Sequence, residues 1–268
     1  MPKNFLKDKV VWITGASTGI GLEMALFAAH FGARLYLFSS RKELLGEAAE
    51  ACFAAGAATA FFETVDLSNW ESAVSVAAKT LAISGAPDYL VLNAGISQRS
   101  LSAQTDLAVS QKILDLNFFG AVGVARTVLP AMIEHGGGHI GVTTSFVGVF
   151  GFPLRSSYAA SKHALKGYFE SVGLEYGSDN IHVTIAVPGR VRTSISAKAL
   201  SGDGSPYGKN DPGLEKGIDP KRCAKRYWKA LIRGRREIVI SGFDSLIVFL
   251  YRYMYPVFKI IATRVNPV

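Results

Sequence analysis

Tyr158 and Lys162 stand four residues apart in YAASK (158–162). On a helix that spacing puts both on one face. An ammonium beside a phenol stabilises the phenolate. A hydroxyl that ordinarily ionises near pH ~10 then becomes an acid or base of use closer to neutrality. The chemistry open to such a pair is proton transfer. Spacing alone also fits an exposed helix carrying an unrelated Tyr and Lys, so the pair takes its meaning from its surroundings.

A second chemical feature lies near the start of the chain. TGASTGIG (14–21) closes the apolar run VVWIT and opens a helical stretch. Gly15 permits a tight turn. Gly19 and Gly21 let backbone approach a pyrophosphate and let the helix pack on a sheet. The free N–H groups and positive dipole end of that helix suit an anion. The spacing is G-x-x-x-G-x-G, not the general dinucleotide fingerprint G-x-G-x-x-G. A plain strand-to-helix turn fits the same residues.

Both features sit in an alternating series of elements. Strand-like runs occur at 10–14, 34–38, 59–65, 89–93, 139–145, 181–188 and 237–241. Helical stretches lie between them, at about 19–31, 42–55, 70–81, 106–134, 156–176 and 221–232, the fourth interrupted near 117–120. Such alternation implies βαβ units and a parallel sheet. The expected fold is α/β: a doubly wound, seven-stranded parallel sheet of the Rossmann type in one domain. Ligands then bind outside the carboxyl ends of the strands, where the strand order switches.

With these elements in place, residues 14–21 resemble the glycine motif of the short-chain dehydrogenase/reductase family. Its other motifs recur in order: NAG at 93–95, Asn117 in LNFFG, Ser145, YAASK, and PGRVRT at 188–193. The resemblance spans about residues 8–242 and implies a catalytic domain over 1–242. It implies that Tyr158 exchanges a proton with a substrate carbonyl or alcohol. Lys162 lowers the Tyr158 pKa and holds the nicotinamide ribose. Ser145 hydrogen-bonds the substrate oxygen, and Asn117 holds a water linking Lys162 to solvent. The implied reaction is hydride transfer between a nicotinamide and a carbonyl carbon. Assembly as a homodimer or homotetramer, through the helices near 106–134 and 156–176, is a further implication.

The resemblance also assigns cofactor contacts. The glycine turn contributes Gly15, Ser17, Gly19, Ile20 and Gly21. Asp66, with Leu67, contacts the adenine, and Asn93, Ala94 and Gly95 line its ribose. Pro188, Gly189, Val191 and Thr193 hold the nicotinamide. NAD-preferring members usually carry an acid at the end of the second strand. This chain has Ser39 and Ser40, then Arg41. A guanidinium beside hydroxyls suits a 2′-phosphate, so NADP(H) is expected over NAD(H). The turn lacks the basic residue that one NADP-using branch carries, since Ser17 and Thr18 stand there. That expectation therefore rests on Arg41. Other tempting residues read as structural. His163 is turned about 100° from Lys162 along the helix, and His139 has no ligand partner nearby. The polar, Gly-rich loop 196–217 reads as mobile, and the resemblance implies that it forms the lid over the substrate.

Composition sets the remaining bounds. The chain has 268 residues, 49% of them apolar, with a net charge of +8. Residues 1–220 hold 18 basic and 19 acidic side chains, whereas 221–268 hold 11 basic and two acidic ones. No nucleic-acid recognition motif accompanies this basic end. Cys52 and Cys223 lack metal-ligand spacing and suit a reducing compartment. No leader-like apolar run opens the chain, so the expectation is cytoplasmic. The stretch 243–268 is a separate apolar, basic tail. Read as one helix, it puts Leu246, Phe249, Leu250, Tyr253, Val257, Ile260 and Ile261 on one face, opposite Arg252 and Lys259. That pattern fits an interfacial helix on the cytoplasmic face of a membrane, packing beside the cleft or in an oligomer, or a transmembrane span.

YAASKHALKGYFESV resembles most the branch containing the 11β-hydroxysteroid dehydrogenases and DHRS7-like enzymes. This implies a hydrophobic, steroid- or lipid-like carbonyl or alcohol substrate. Two other readings fit: an NADPH-binding scaffold or sensor with little turnover, and a soluble reductase of small polar ketones. No metal is expected.

Overall fold

The structure is a computed structural model describing residues 5–242 and 245–264. Seven strands form one parallel sheet: β1 (Val10–Thr14), β2 (Arg34–Ser39), β3 (Thr59–Thr64), β4 (Tyr89–Leu92), β5 (Gly138–Thr143), β6 (Ile181–Pro188) and β7 (Glu237–Ile240). Their order is β3-β2-β1-β4-β5-β6-β7. The chain winds outward one way from β1 to β3, then crosses back and winds the other way from β4. The crevice at the carboxyl ends of β1 and β4 is therefore the switch point.

The helices are α1 (Gly19–His30), α2 (Lys42–Ala54), α3 (Trp70–Ser84), α4 (Leu107–Leu114), α5 (Gly120–Glu134), α6 (Ser156–Glu175), the single turn α7 (Pro212–Glu215), α8 (Pro220–Leu231), α9 (Leu246–Tyr253) and α10 (Tyr255–Arg264). They cover both sheet faces, and β1 shows why its run of apolar residues is continuous. Val11 and Ile13 enter a core with Met24, Leu35 and Trp228. Val10 and Trp12 enter another with Leu90, Leu129 and Phe169. Alternate side chains point to opposite faces, and a parallel sheet covered on both sides needs both sets apolar.

The interruption expected in the fourth helical stretch is a π-helical turn, Asp115–Phe119, between α4 and α5. The helix widens there without stopping. The run 107–134 is also the one described helix long and apolar enough to cross a membrane, yet half of its apolar window is buried. Its α5 part lies against α3, as in the core of a globular domain.

The tail differs from the continuous helix read from sequence. Among the described residues it is two short helices that meet at Met254, whose φ is −137°. Pro256 explains the break. Inside a helix it would lose one hydrogen bond and crowd the carbonyl of Arg252, whereas in a first turn it is tolerated. The buried face differs too. Val248, Phe258 and Ala262 pack against Phe150, with Phe146, Val149 and Phe152 around them. Leu246, Phe249, Tyr253, Val257 and Ile260 face outward. Residues 243–244 and 265–268 lie outside the described residues.

Candidate active site

A cleft of about 540 Å³ opens at the carboxyl ends of the strands. Of the residues expected at the site from sequence, all but Ser17, Gly21 and Asn117 line it. Those three stand one layer behind. Thr14 joins the two sides of the switch point, because its hydroxyl oxygen accepts from Asn93 N at 2.9 Å and Ala94 N at 3.1 Å. Gly15 turns with φ +66°, and a Cβ on Gly21 would collide with the Gly15 carbonyl. The turn thus presents bare backbone to the cleft at the start of α1. Gly21→Ala is expected to lower Tm by at least about 4 °C, since neither backbone atom can yield cheaply. Thermal melting checks this, and an unchanged Tm would contradict it.

At the end of β2, Arg41 Nη2 donates to Ser17 Oγ at 2.8 Å and to Thr18 Oγ1 at 2.9 Å. The Ser17 and Ser39 hydroxyls lie 2.9 Å apart. Lys198, from the loop after β6, also lines this end of the cleft. Burial, and then the charge of Arg41, make its ammonium easier to deprotonate. Among the described residues, neither cation has a carboxylate partner. Two cations at one end of the cleft, with the Ser17 and Thr18 hydroxyls beside Arg41, fit a phosphate. Asp66 holds the Ser68 amide and hydroxyl through Oδ1.

The other half of the cleft gathers Ser145, Tyr158 and Lys162. Ser145 follows β5 and, with φ −171°, stands at the head of a short 3-10 turn. Tyr158 and Lys162 come from the first two turns of α6 and are buried. The Lys162 ammonium donates to Thr143 O at 2.8 Å and lies 5.9 Å from the Tyr158 ring centre. Burial lowers its pKa to about 8. Burial raises the Tyr158 pKa, while the Ser145 hydroxyl and then the charges of Arg99 and Arg155 pull it back down.

Asn117 is wholly buried. Its amide donates to Ile96 O at 3.0 Å and Ser161 Oγ at 2.9 Å, and its Oδ1 accepts from Ile96 N at 2.8 Å. The side chain thus clamps the segment after β4 onto α6 from within the π-helical turn. His163 Nδ1 lies 2.9 Å from Ala159 O, a local helix contact away from the cleft. His139 is stacked on Tyr89 at 5.0 Å.

Sequence reasoning missed Arg99, Arg155, Lys198 and Asp211, and the apolar wall of Phe146, Phe150, Phe152 and Ile247. A signal existed for the two arginines. Arg99 is the only charged residue between Asp88 and Asp106, and Arg155 the only one between Glu134 and Lys162. Packing of the tail beside the cleft is one of the readings the sequence leaves open for 243–268, but nothing in it singles out Ile247 and the three phenylalanines it joins.

A glycine turn at a switch point, joined by one cleft to a Ser–Tyr–Lys set, defines a nucleotide-binding oxidoreductase of the Rossmann type. The profile of the family described as short chain dehydrogenase matches residues 9–203. The chain belongs to that family. It is 36% identical to dehydrogenase/reductase SDR family member 7B of Danio rerio over 266 residues, 97% of this chain and 86% of the relative. An alcohol dehydrogenase from Thermococcus sibiricus, complexed with 5-hydroxy-NADP, shares 26% identity with a TM-score of 0.74, over 88% of this chain and 97% of that one. A short-chain dehydrogenase/reductase from Burkholderia phymatum, in complex with NAD, shares the fold at 21% identity with a TM-score of 0.81, over 98% and 97%.

Proposed function

We propose that this protein is an NADP(H)-dependent oxidoreductase that interconverts a carbonyl and an alcohol on a hydrophobic substrate. The observation that carries the proposal is the convergence of Ser145, Tyr158 and Lys162 in the cleft that also holds Arg41 and Lys198. The glycine turn and the 93–95 segment would hold the dinucleotide, and Arg41 with Ser17 and Lys198 its 2′-phosphate. When bound, the nicotinamide supplies or accepts the hydride. Tyr158 gives a proton to the substrate oxygen in reduction and takes it back in oxidation. Ser145 orients that oxygen by hydrogen bonding. Lys162 stabilises the Tyr158 anion and passes protons onward, and Asn117 keeps the 95–96 segment and α6 in register. The apolar wall fits the non-reacting body of a steroid- or lipid-sized substrate.

The test is NADPH consumption in mild detergent across ketones from small and polar to steroid-sized and long-chain. Selective turnover of the large apolar ketones supports the proposal. Turnover of small polar ketones alone overturns the substrate class, and tight NADPH binding without turnover favours a scaffold.

The tail supports a peripheral membrane role. One side of α9 and α10 packs behind the cleft wall, to which α9 contributes Ile247, and the other exposes Leu246, Phe249, Tyr253 and Ile260 beside Lys259 and Arg264. An apolar strip with basic neighbours fits an anionic lipid surface. Phe249→Asp with Ile260→Asp is expected to weaken cosedimentation with anionic phospholipid vesicles at least about tenfold, since two apolar side chains leave the lipid. Unchanged binding, or no binding by the unaltered protein, would contradict this. A homodimer or homotetramer is part of the same proposal. A cytoplasmic location, peripheral on that face of the membrane, is a further part of the proposal.

A further inference from the structure

Two arginines stand in the substrate half of the cleft, held by the loop that follows β6. Both are buried. Arg99 Nη1 donates to Ser97 Oγ at 2.8 Å and Gln98 O at 2.7 Å, and its Nη2 to Ser196 Oγ at 2.6 Å. Arg155 Nη1 donates to Pro153 O at 3.0 Å, and its guanidinium lies 5.3 Å from the Phe152 ring centre. Asp211, just before α7, reaches both: Oδ2 lies 3.1 Å from Arg155 Nη2 and 3.8 Å from Arg99 Nη2.

The loop is anchored unevenly. Its first half is stitched to the segment after β4, with Leu200 N donating to Ser97 O at 2.9 Å, Arg99 N to Leu200 O at 2.8 Å and Asp106 N to Gly202 O at 2.9 Å. Its second half is pinned at its two ends, by Tyr207 N to Ala199 O at 2.8 Å, Gly208 N to Ala197 O at 3.1 Å and Ile218 N to Arg190 O at 2.9 Å, and Lys209 and Lys216 on either side of Asp211 are exposed. Between those ends, the carboxylate of Asp211 ties the middle of that half to the two arginines in the cleft. It also brings one negative charge to a pair of positive ones near the Tyr158 hydroxyl.

We infer that Arg99, Arg155 and Asp211 form an ionic latch that closes the lid and, once closed, sets the charge felt by the Tyr158 hydroxyl. The arginines act as positioning residues alongside Lys162, and Asp211 offsets part of their effect. The inference rests on the proposed proton transfer by Tyr158. The charged and titratable groups facing that hydroxyl are Arg99 and Arg155, with Asp211 and Tyr207 of the lid beyond them and Lys162 below. Burial lowers the Arg155 pKa to about 10, so the guanidinium stays charged at neutral pH.

The test is the pH profile of kcat/KM for alcohol oxidation, where Tyr158 must be deprotonated. Removing a positive neighbour raises its pKa, and removing a negative one lowers it. Arg99→Gln is expected to move the rising limb up by roughly half a pH unit or more, and Asp211→Asn to move it down by less, since Asp211 acts from beyond the arginines. Arg99→Lys keeps the charge and should restore the limb. Lys162 lies beneath the same ring and titrates too, so the limb belongs to the coupled site, but the opposite signs remain diagnostic. A purely structural role would lower rates without opposite shifts, and coincident or same-direction shifts overturn the inference.

A second readout does not need turnover. Asp211→Asn should speed tryptic cleavage after Lys209 and Lys216 at least about fivefold, because a charge-assisted tie is lost. Cleavage at the unaltered rate overturns the latch. If no alcohol is oxidised by the unaltered protein, the proposed function fails, and the tryptic result alone decides the latch.

Discussion

Tyr158→Phe is expected to lower kcat at least about 10³-fold while NADPH affinity changes by less than about threefold. The substitution removes one oxygen. The ring still fills its place against Val147, Ala159 and Phe152, so the fold has no reason to change. The loss falls on proton transfer, whose usual contribution is about 10²–10⁴-fold. No described side chain can replace the hydroxyl: Lys162 donates to Thr143 O and Ser145 is a far weaker acid. Initial rates, with NADPH binding followed by fluorescence, check this. Residual turnover within about tenfold of the unaltered protein would remove Tyr158 from the chemistry. Lost binding would instead show that it serves the dinucleotide site.

Arg41→Ala is expected to lower kcat/KM for NADPH by about 10–100-fold and to leave NADH within about twofold. Arg41 is held by Ser17 and Thr18, so its fork is oriented before any ligand arrives. A hydrogen bond to a charged group contributes about 1.5–3 kcal/mol, and only the 2′-phosphate feels this loss. Ser40→Asp should add repulsion and press preference further toward NADH. Kinetics with both dinucleotides check the pair. Equal losses for NADPH and NADH would show that Arg41 supports the turn and does not read the phosphate.

What the sequence made legible was local. Strand alternation, the glycine turn and the one-face spacing of Tyr158 and Lys162 each depend on a few neighbouring residues. The sheet order was not stated in advance, although alternation required a parallel sheet and a switch point. Three features depended on distant contacts. Arg99, Arg155 and Asp211 come from three separate loops, and no short motif joins them. Lys198 meets Arg41 only because the loop after β6 folds back over β2's end. The tail's apolar residues divide between the layer behind the cleft wall and the outer surface, a division that a continuous helical wheel cannot give once Pro256 restarts the helix. The Tyr158–Lys162 reading was also incomplete. Besides Lys162, Ser145, Arg99 and Arg155 stand where they favour the ionised Tyr158 hydroxyl, and the two arginines belong to no motif.

The most direct measurement is isotope transfer from NADPH deuterated at C4, prepared in each of its two stereochemical forms. Each form is incubated with an apolar ketone in mild detergent, and the alcohol is analysed by mass spectrometry. The account predicts that one of the two gives an alcohol heavier by one deuterium at the former carbonyl carbon, and that Tyr158→Phe gives almost none. NADPH bound tightly, with no label reaching any ketone, would contradict it.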